Sequence, residues 1–180
     1  MKRSWYLALA VAVLAIVASG VIVNLRTGPQ SASLPTGDIS GQPAPASVFV
    51  LLDGSRKTAD DLKGRVTLVN FWATSCAVCV AEMPKITAAY DKFHSRGFDV
   101  LAVAMKYDPP SYVVNYTETR KLPFNVAIDN TGSVAQAWGG VRLTPTSFVV
   151  NRRGEIVKRY VGEPDFAELD RLIESLLAQS

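Results

Sequence analysis

The sequence predicts an α/β layered domain, one mixed β-sheet with helices on both faces, preceded by an N-terminal transmembrane helix. Three observations carry this. Two apolar runs, Val66–Trp72 and Phe98–Met105, read as strands buried on both faces. Segments with apolar residues at three- and four-residue steps alternate with them, as in a sheet covered by helices. Near the C-terminus, Ser147–Asn151 and Glu155–Val161 flank the tight turn Arg152-Arg153-Gly154, so part of the sheet is antiparallel.

At the N-terminus, Lys2 and Arg3 precede an uncharged apolar run, Leu7–Val23, led by Trp5 and Tyr6. As a helix this run would span about 26 Å, close to a hydrocarbon core of roughly 30 Å. The flanking charges place residues 1–23 as a membrane anchor with Lys2 and Arg3 on the cytoplasmic side and everything after Asn24 on the other side. Val17-Ala18-Ser19 before Gly20 offers the competing reading of a cleaved signal peptide. Residues 24–40 lack periodicity, carry many breakers and read as a flexible linker. The folded domain is expected over residues 41–180.

Within it, Ser47–Leu52 and Arg56–Thr58 form a small hairpin turning at Asp53-Gly54, followed by a helical turn at Ala59–Leu62. After the Val66–Trp72 strand comes a helix from about Cys76 to Ser95, with Met83, Ile86, Ala89, Tyr90 and Phe93 on one face. Pro84 should kink it. A helix over Ser111–Arg120 follows the second strand, then a third strand at Phe124–Ile128 and a short helix at Ser133–Trp138. The last helix starts at Asp165, where Glu168 completes a D-x-x-E capping pattern. Phe166, Leu169, Ile173 and Leu176 make its buried face.

Composition excludes several function classes. With 48% hydrophobic residues, 19% charged residues and a net charge of +3, the chain has no basic stripe of the kind a nucleic-acid binder needs. It holds two cysteines and one histidine, too few for a disulfide-stapled mini-domain or a closed structural zinc site. Val80 after Cys79 excludes c-type haem attachment. A redox pair or a two-thiolate copper(I) site remains.

The chemistry lies in Asn70-Phe-Trp-Ala-Thr-Ser-Cys76-Ala-Val-Cys79-Val-Ala-Glu82-Met-Pro84. A buried strand ends and Cys76 sits where a helix begins, facing unpaired N–H groups and the positive dipole end. That position favours a thiolate. Cys79, one turn on, can close a disulfide with it, so Cys76 is expected to attack and Cys79 to resolve. A carboxylate one turn after Cys79 would raise thiol pKa by repulsion and could relay protons; an equally open reading makes Glu82 a solvated helix residue.

The run Phe71-Trp72-Ala73-Thr74-x-Cys76-x-x-Cys79-x-x-Glu82-Met83-Pro84 resembles the active-site segment of the TlpA/ResA/CcmG-like family, membrane-anchored thioredoxin-like disulfide reductases of exported compartments. The likeness extends from Gly41-Gln-Pro-Ala-Pro45 through Thr144-Pro145 to Gly154-Glu-Ile-Val and Gly162. It implies a thioredoxin-like fold and a catalytic Cys76/Cys79 pair. It also implies a proton-handling Glu82 and a cis-proline loop at Thr144-Pro145 that pairs with substrate. Exported protein disulfides, including those of cytochrome c or oxidase assembly, are the implied substrates. A DsbD/CcdA-like membrane thiol carrier is the implied electron donor, and no bound cofactor or metal is implied. Ser75 and Val78 depart from the family, which usually carries Trp before the first cysteine and often Pro before the second. This bears on partner choice and redox potential. Asn70 stands where cytoplasmic thioredoxins carry a buried acid.

Two rivals use the same cysteines. Copper(I) binding suits two soft thiolates, although three Met and one His offer little to support it. A peroxidase would need a single peroxidatic cysteine in a different spacing. His94 is expected as a solvated helix end, and Met105-Lys106-Tyr107 receives no functional reading.

Overall fold

The computed structural model describes residues 41–179; the expected anchor and the expected linker lie outside them. Eight strands are formed: β1 (Gln42–Pro43), β2 (Val48–Val50), β3 (Arg56–Thr58), β4 (Val66–Trp72), β5 (Phe98–Ala104), β6 (Asn125–Ile128), β7 (Thr146–Val150) and β8 (Glu155–Val161). Four α-helices accompany them: α1 (Ala77–Phe93), α2 (Pro110–Arg120), α3 (Ser133–Ala137) and α4 (Phe166–Leu177). Short 3₁₀ turns occupy Ala59–Leu62 and His94–Arg96. The main sheet has the order β1-β8-β7-β4-β5-β6. β4 runs parallel to β5 and β5 to β6, whereas β7, β8 and β1 join antiparallel. The mixed sheet is therefore as expected, and β1 is an edge strand too short to leave a period in the sequence.

Side-chain alternation along β4 divides the core in two. Val66, Leu68 and Trp72 face Met83, Ile86 and Phe93 of α1, Val113 of α2, and Leu169 and Ile173 of α4. Val69 and Phe71 face the opposite layer, which contains Phe49, Leu62, Val134 and Trp138. That layer is built from the β2–β3 hairpin, a 3₁₀ turn and the five-residue α3 rather than long helices. Trp138 fills it, with its ring centroid 5.1 Å from Phe148 and 6.0 Å from Phe71, and its indole N–H donates to Ser47 Oγ at 2.9 Å.

Helix α1 continues through Pro84. Proline at this place removes the N–H that would bond the Val80 carbonyl. The Asp165 carboxylate caps α4, accepting from the N–H groups of Ala167 and Glu168 at 2.8 and 3.0 Å. Glu168 itself reaches Lys158 Nζ at 3.3 Å rather than closing a capping box. His94 is not simply solvated: its ring stacks on Tyr90, centroids 4.3 Å apart, and Arg65 lies 3.1 Å from its Nδ1. The i,i+4 spacing on one helix face brings the two rings together.

Candidate active site

The buried strand β4 delivers the chain to the sheet's end at Trp72, and residues 73–76 turn it into α1. Cys76 is the N-cap of that helix, in extended backbone conformation, and its Sγ accepts from the Cys79 N–H at 3.1 Å. The two cysteines form a disulfide across a Cα–Cα distance of 5.2 Å. Cys76 is half-buried and Cys79 fully buried. An incoming sulfur can therefore reach Cys76, while Cys79 is shielded by the core. Exposed Ser75 precedes the pair and exposed Val78 lies between its two cysteines.

The turn is held from a distance in sequence. Asp108, itself buried, accepts from the Thr74 N–H and from the Thr74 hydroxyl, both at 2.6 Å. Two charge-assisted bonds to one carboxylate fix the strand-to-helix junction that presents Cys76. Asp108 follows β5 and lies 34 residues away, and no local pattern marked it.

The peptide bond Thr144–Pro145 is cis. It places the Thr144 carbonyl oxygen 3.5 Å from Cys76 Sγ, and the Thr144 hydroxyl 3.2 Å from the Tyr107 hydroxyl. Cys76, Cys79, Thr144 and Pro145 are thus gathered at one end of the sheet. Tyr107, which had no sequence reading, joins them.

Glu82 settles differently from the solvated alternative. It is fully buried, three residues after Cys79 on the sheet-facing side of α1. Its Oε1 accepts from the Asn70 amide at 2.9 Å, and the second N–H of that amide donates to Ser147 Oγ at 2.9 Å. Strand pairing explains the meeting. Asn70 sits directly opposite Ser147 in the β4–β7 ladder, and both point to the α1 face. Glu82 Oε2 and Asn70 Oδ1 are buried without a hydrogen-bond partner. Burial pushes the Glu82 carboxyl up to about 7, and the Asn70 bond offsets this only in part. A carboxyl poised near neutral pH can hold or release a proton behind the cysteine pair. The sequence signal for Asn70 was a polar residue inside an otherwise apolar strand; Ser147 gave none.

Comparison with known proteins agrees with this arrangement. The Redoxin family profile matches residues 39–173.

The chain belongs to the Redoxin family.

Among its relatives, this Redoxin is 30% identical over 136 residues to the thiol-disulfide oxidoreductase ResA of Bacillus thuringiensis subsp. konkukian, covering 76% of this chain and 78% of that one. It is 27% identical over 176 residues to ResA of Geobacillus kaustophilus, covering 98% and 99% of the two chains. A solution structure from Neisseria meningitidis, described as a candidate thioredoxin, superposes with a TM-score of 0.72 at 42% identity, covering 78% of this chain and 93% of that one. The fold is thioredoxin-like, and the ResA-like resemblance read from the motifs holds. With its closed Cys76–Cys79 pair, this Redoxin is a thiol–disulfide oxidoreductase.

Proposed function

We propose that the chain works as a reductant of disulfides in exported proteins, held at the outer face of the cytoplasmic membrane by residues 1–23. One observation carries the mechanism: half-buried Cys76 caps α1 beside the Thr144 carbonyl, with Cys79 buried behind it. A substrate strand lies against the Thr144 backbone, as strand addition to a free backbone edge allows. The Cys76 thiolate, favoured by the helix end, attacks one substrate sulfur. The substrate S–S bond breaks, a mixed disulfide forms, and the departing substrate thiolate takes a proton. Cys79 then loses its proton and attacks Cys76 Sγ, which releases the second substrate thiol and closes the Cys76–Cys79 bond. Glu82, near neutral pH, is the nearest buried acid to accept the Cys79 proton along α1.

Two electrons and two protons have passed to the substrate, so an external dithiol must restore the pair. A membrane thiol carrier of the DsbD/CcdA type supplies it in this reading. The resemblance to the TlpA/ResA/CcmG-like family points to cytochrome c or oxidase assembly as the setting, and the relatives named ResA agree with that family.

Direction is tested by equilibration against glutathione. A potential well below the roughly −180 mV of disulfide isomerase supports a reductant, and one near the roughly −120 mV of DsbA would make the chain an oxidant. The helix end stabilises thiolate and raises the potential, whereas ionised Glu82 opposes it. Topology has its own check. Alkaline phosphatase fused after Ser180 should be active in cells, and an inactive fusion would place the domain in the cytoplasm.

A further inference from the structure

A cleft of about 290 Å³ opens between the loop after β5, α3 and the loop leading to Pro145. Met105, Lys106, Tyr107, Gly132, Gln136 and Arg142 are among its lining residues. It connects to the reacting sulfur in two short steps. Tyr107 lines the cleft and bonds the Thr144 hydroxyl, and the Thr144 carbonyl touches Cys76 Sγ. A polypeptide laid along Thr144 with its cysteine at Cys76 therefore lies next to Tyr107, which lines the cleft.

The cleft carries two exposed cations, Lys106 and Arg142. Among the described residues neither has a carboxylate within salt-bridge distance. Nearby acids are committed elsewhere. Asp108 is bound to Thr74, and Asp129, also buried, accepts from the Ala135 N–H at 2.8 Å. The Lys106 stem is packed, not loose. A Cβ at Gly132 would come within 2.7 Å of Lys106 Cδ, and Gly132 has a φ of +77°, so this position admits glycine and lets the lysine lie across it. Arg142 stands two residues before the Thr144 backbone. Unneutralised charge of one sign in a recess focuses the field on whatever enters it.

We propose that this cleft is a carboxylate subsite. In it Lys106 and Arg142 select substrate polypeptides carrying Asp or Glu close to the cysteine that Cys76 attacks. The proposal rests on the oxidoreductase reading and adds to it a substrate class defined by charge. Lys106 and Arg142 are specificity residues; they do not touch the reacting sulfurs.

The test uses the reduced full-length chain and two synthetic peptides, each with one internal disulfide. They are identical except for Glu or Gln at the positions flanking one cysteine. Second-order reduction rates are followed at low and high salt. The Glu peptide should be reduced about fivefold faster at low salt, as two favourable but solvent-exposed charge contacts allow, and the advantage should shrink as salt screens it. The double variant Lys106→Glu/Arg142→Glu should reverse the preference. Equal rates for the two peptides with the unmodified chain would overturn the proposal, as would an unchanged preference in the double variant. A chain that reduces neither peptide would instead bring down the oxidoreductase reading, and the subsite with it.

Discussion

Cys76→Ser should leave no disulfide reduction above the uncatalysed rate, and Cys79→Ala should stop after a single step with substrate held covalently. The asymmetry follows from position on α1. Cys76 is the half-buried N-cap, where the helix end favours a thiolate, so its loss removes the only sulfur a substrate can reach. Cys79 is fully buried. Without it the first exchange still proceeds, but nothing inside the protein can release the mixed disulfide. Intact-mass analysis after mixing with two peptides joined by a disulfide reads the difference directly. The Cys79→Ala chain gains the mass of one peptide half, and the Cys76→Ser chain gains none. In the reduced wild-type chain Cys76 should also be alkylated first near neutral pH. Faster alkylation of Cys79, or an adduct on the Cys76→Ser chain, would reverse the two roles.

The second large effect belongs to Glu82. Its carboxyl is pushed from an ordinary 4.5 up to about 7 by burial, so between those values the folded chain binds a proton that the unfolded chain has released. Stability from this group is fully present below about 4.5 and is lost as pH rises through about 7. The difference amounts to about 3 kcal/mol at the ordinary conversion of pKa into free energy. Glu82→Gln keeps an oxygen that can accept from Asn70 and removes the titration. Denaturant unfolding of the oxidised protein should show that the variant gains on wild type from pH 5 to pH 8, by up to about 3 kcal/mol. Parallel stabilities at both pH values would place the Glu82 titration outside this range. The same ionisation bears on catalysis. Below about 7 Glu82 is mostly neutral and repels no thiolate; above it, the negative charge disfavours the ionised pair.

How far the sequence could be read depended on whether a property is local. The β4 and β5 runs, the hairpin of β7 and β8, and the apolar faces of α1 and α4 are written as periodicities of a few residues, and the structure has them within one or two residues of the expected ends. The Cys-x-x-Cys pair belongs here too, because a three-residue spacing at a helix start brings two sulfurs together whatever the rest of the chain does.

The environment of those sulfurs was decided by tertiary structure. Asn70 and Ser147 are 77 residues apart, yet the β4–β7 register places them face to face, and together they receive Glu82. A glutamate one turn past a cysteine reads equally as solvated or buried until the opposing strand is known, since burial depends on what packs against it. Asp108 reaches Thr74 because β4 and β5 are parallel neighbours whose ends coincide. The Thr144 backbone meets Cys76 across 68 residues, and the Tyr107 hydroxyl meets Thr144 across 37. By itself the sequence determined the five longer strands of the main sheet, the helix that carries the nucleophile and the pair that does the chemistry. Only the fold decided which distant polar groups surround that pair, because strand order and register choose partners that no short-range pattern encodes.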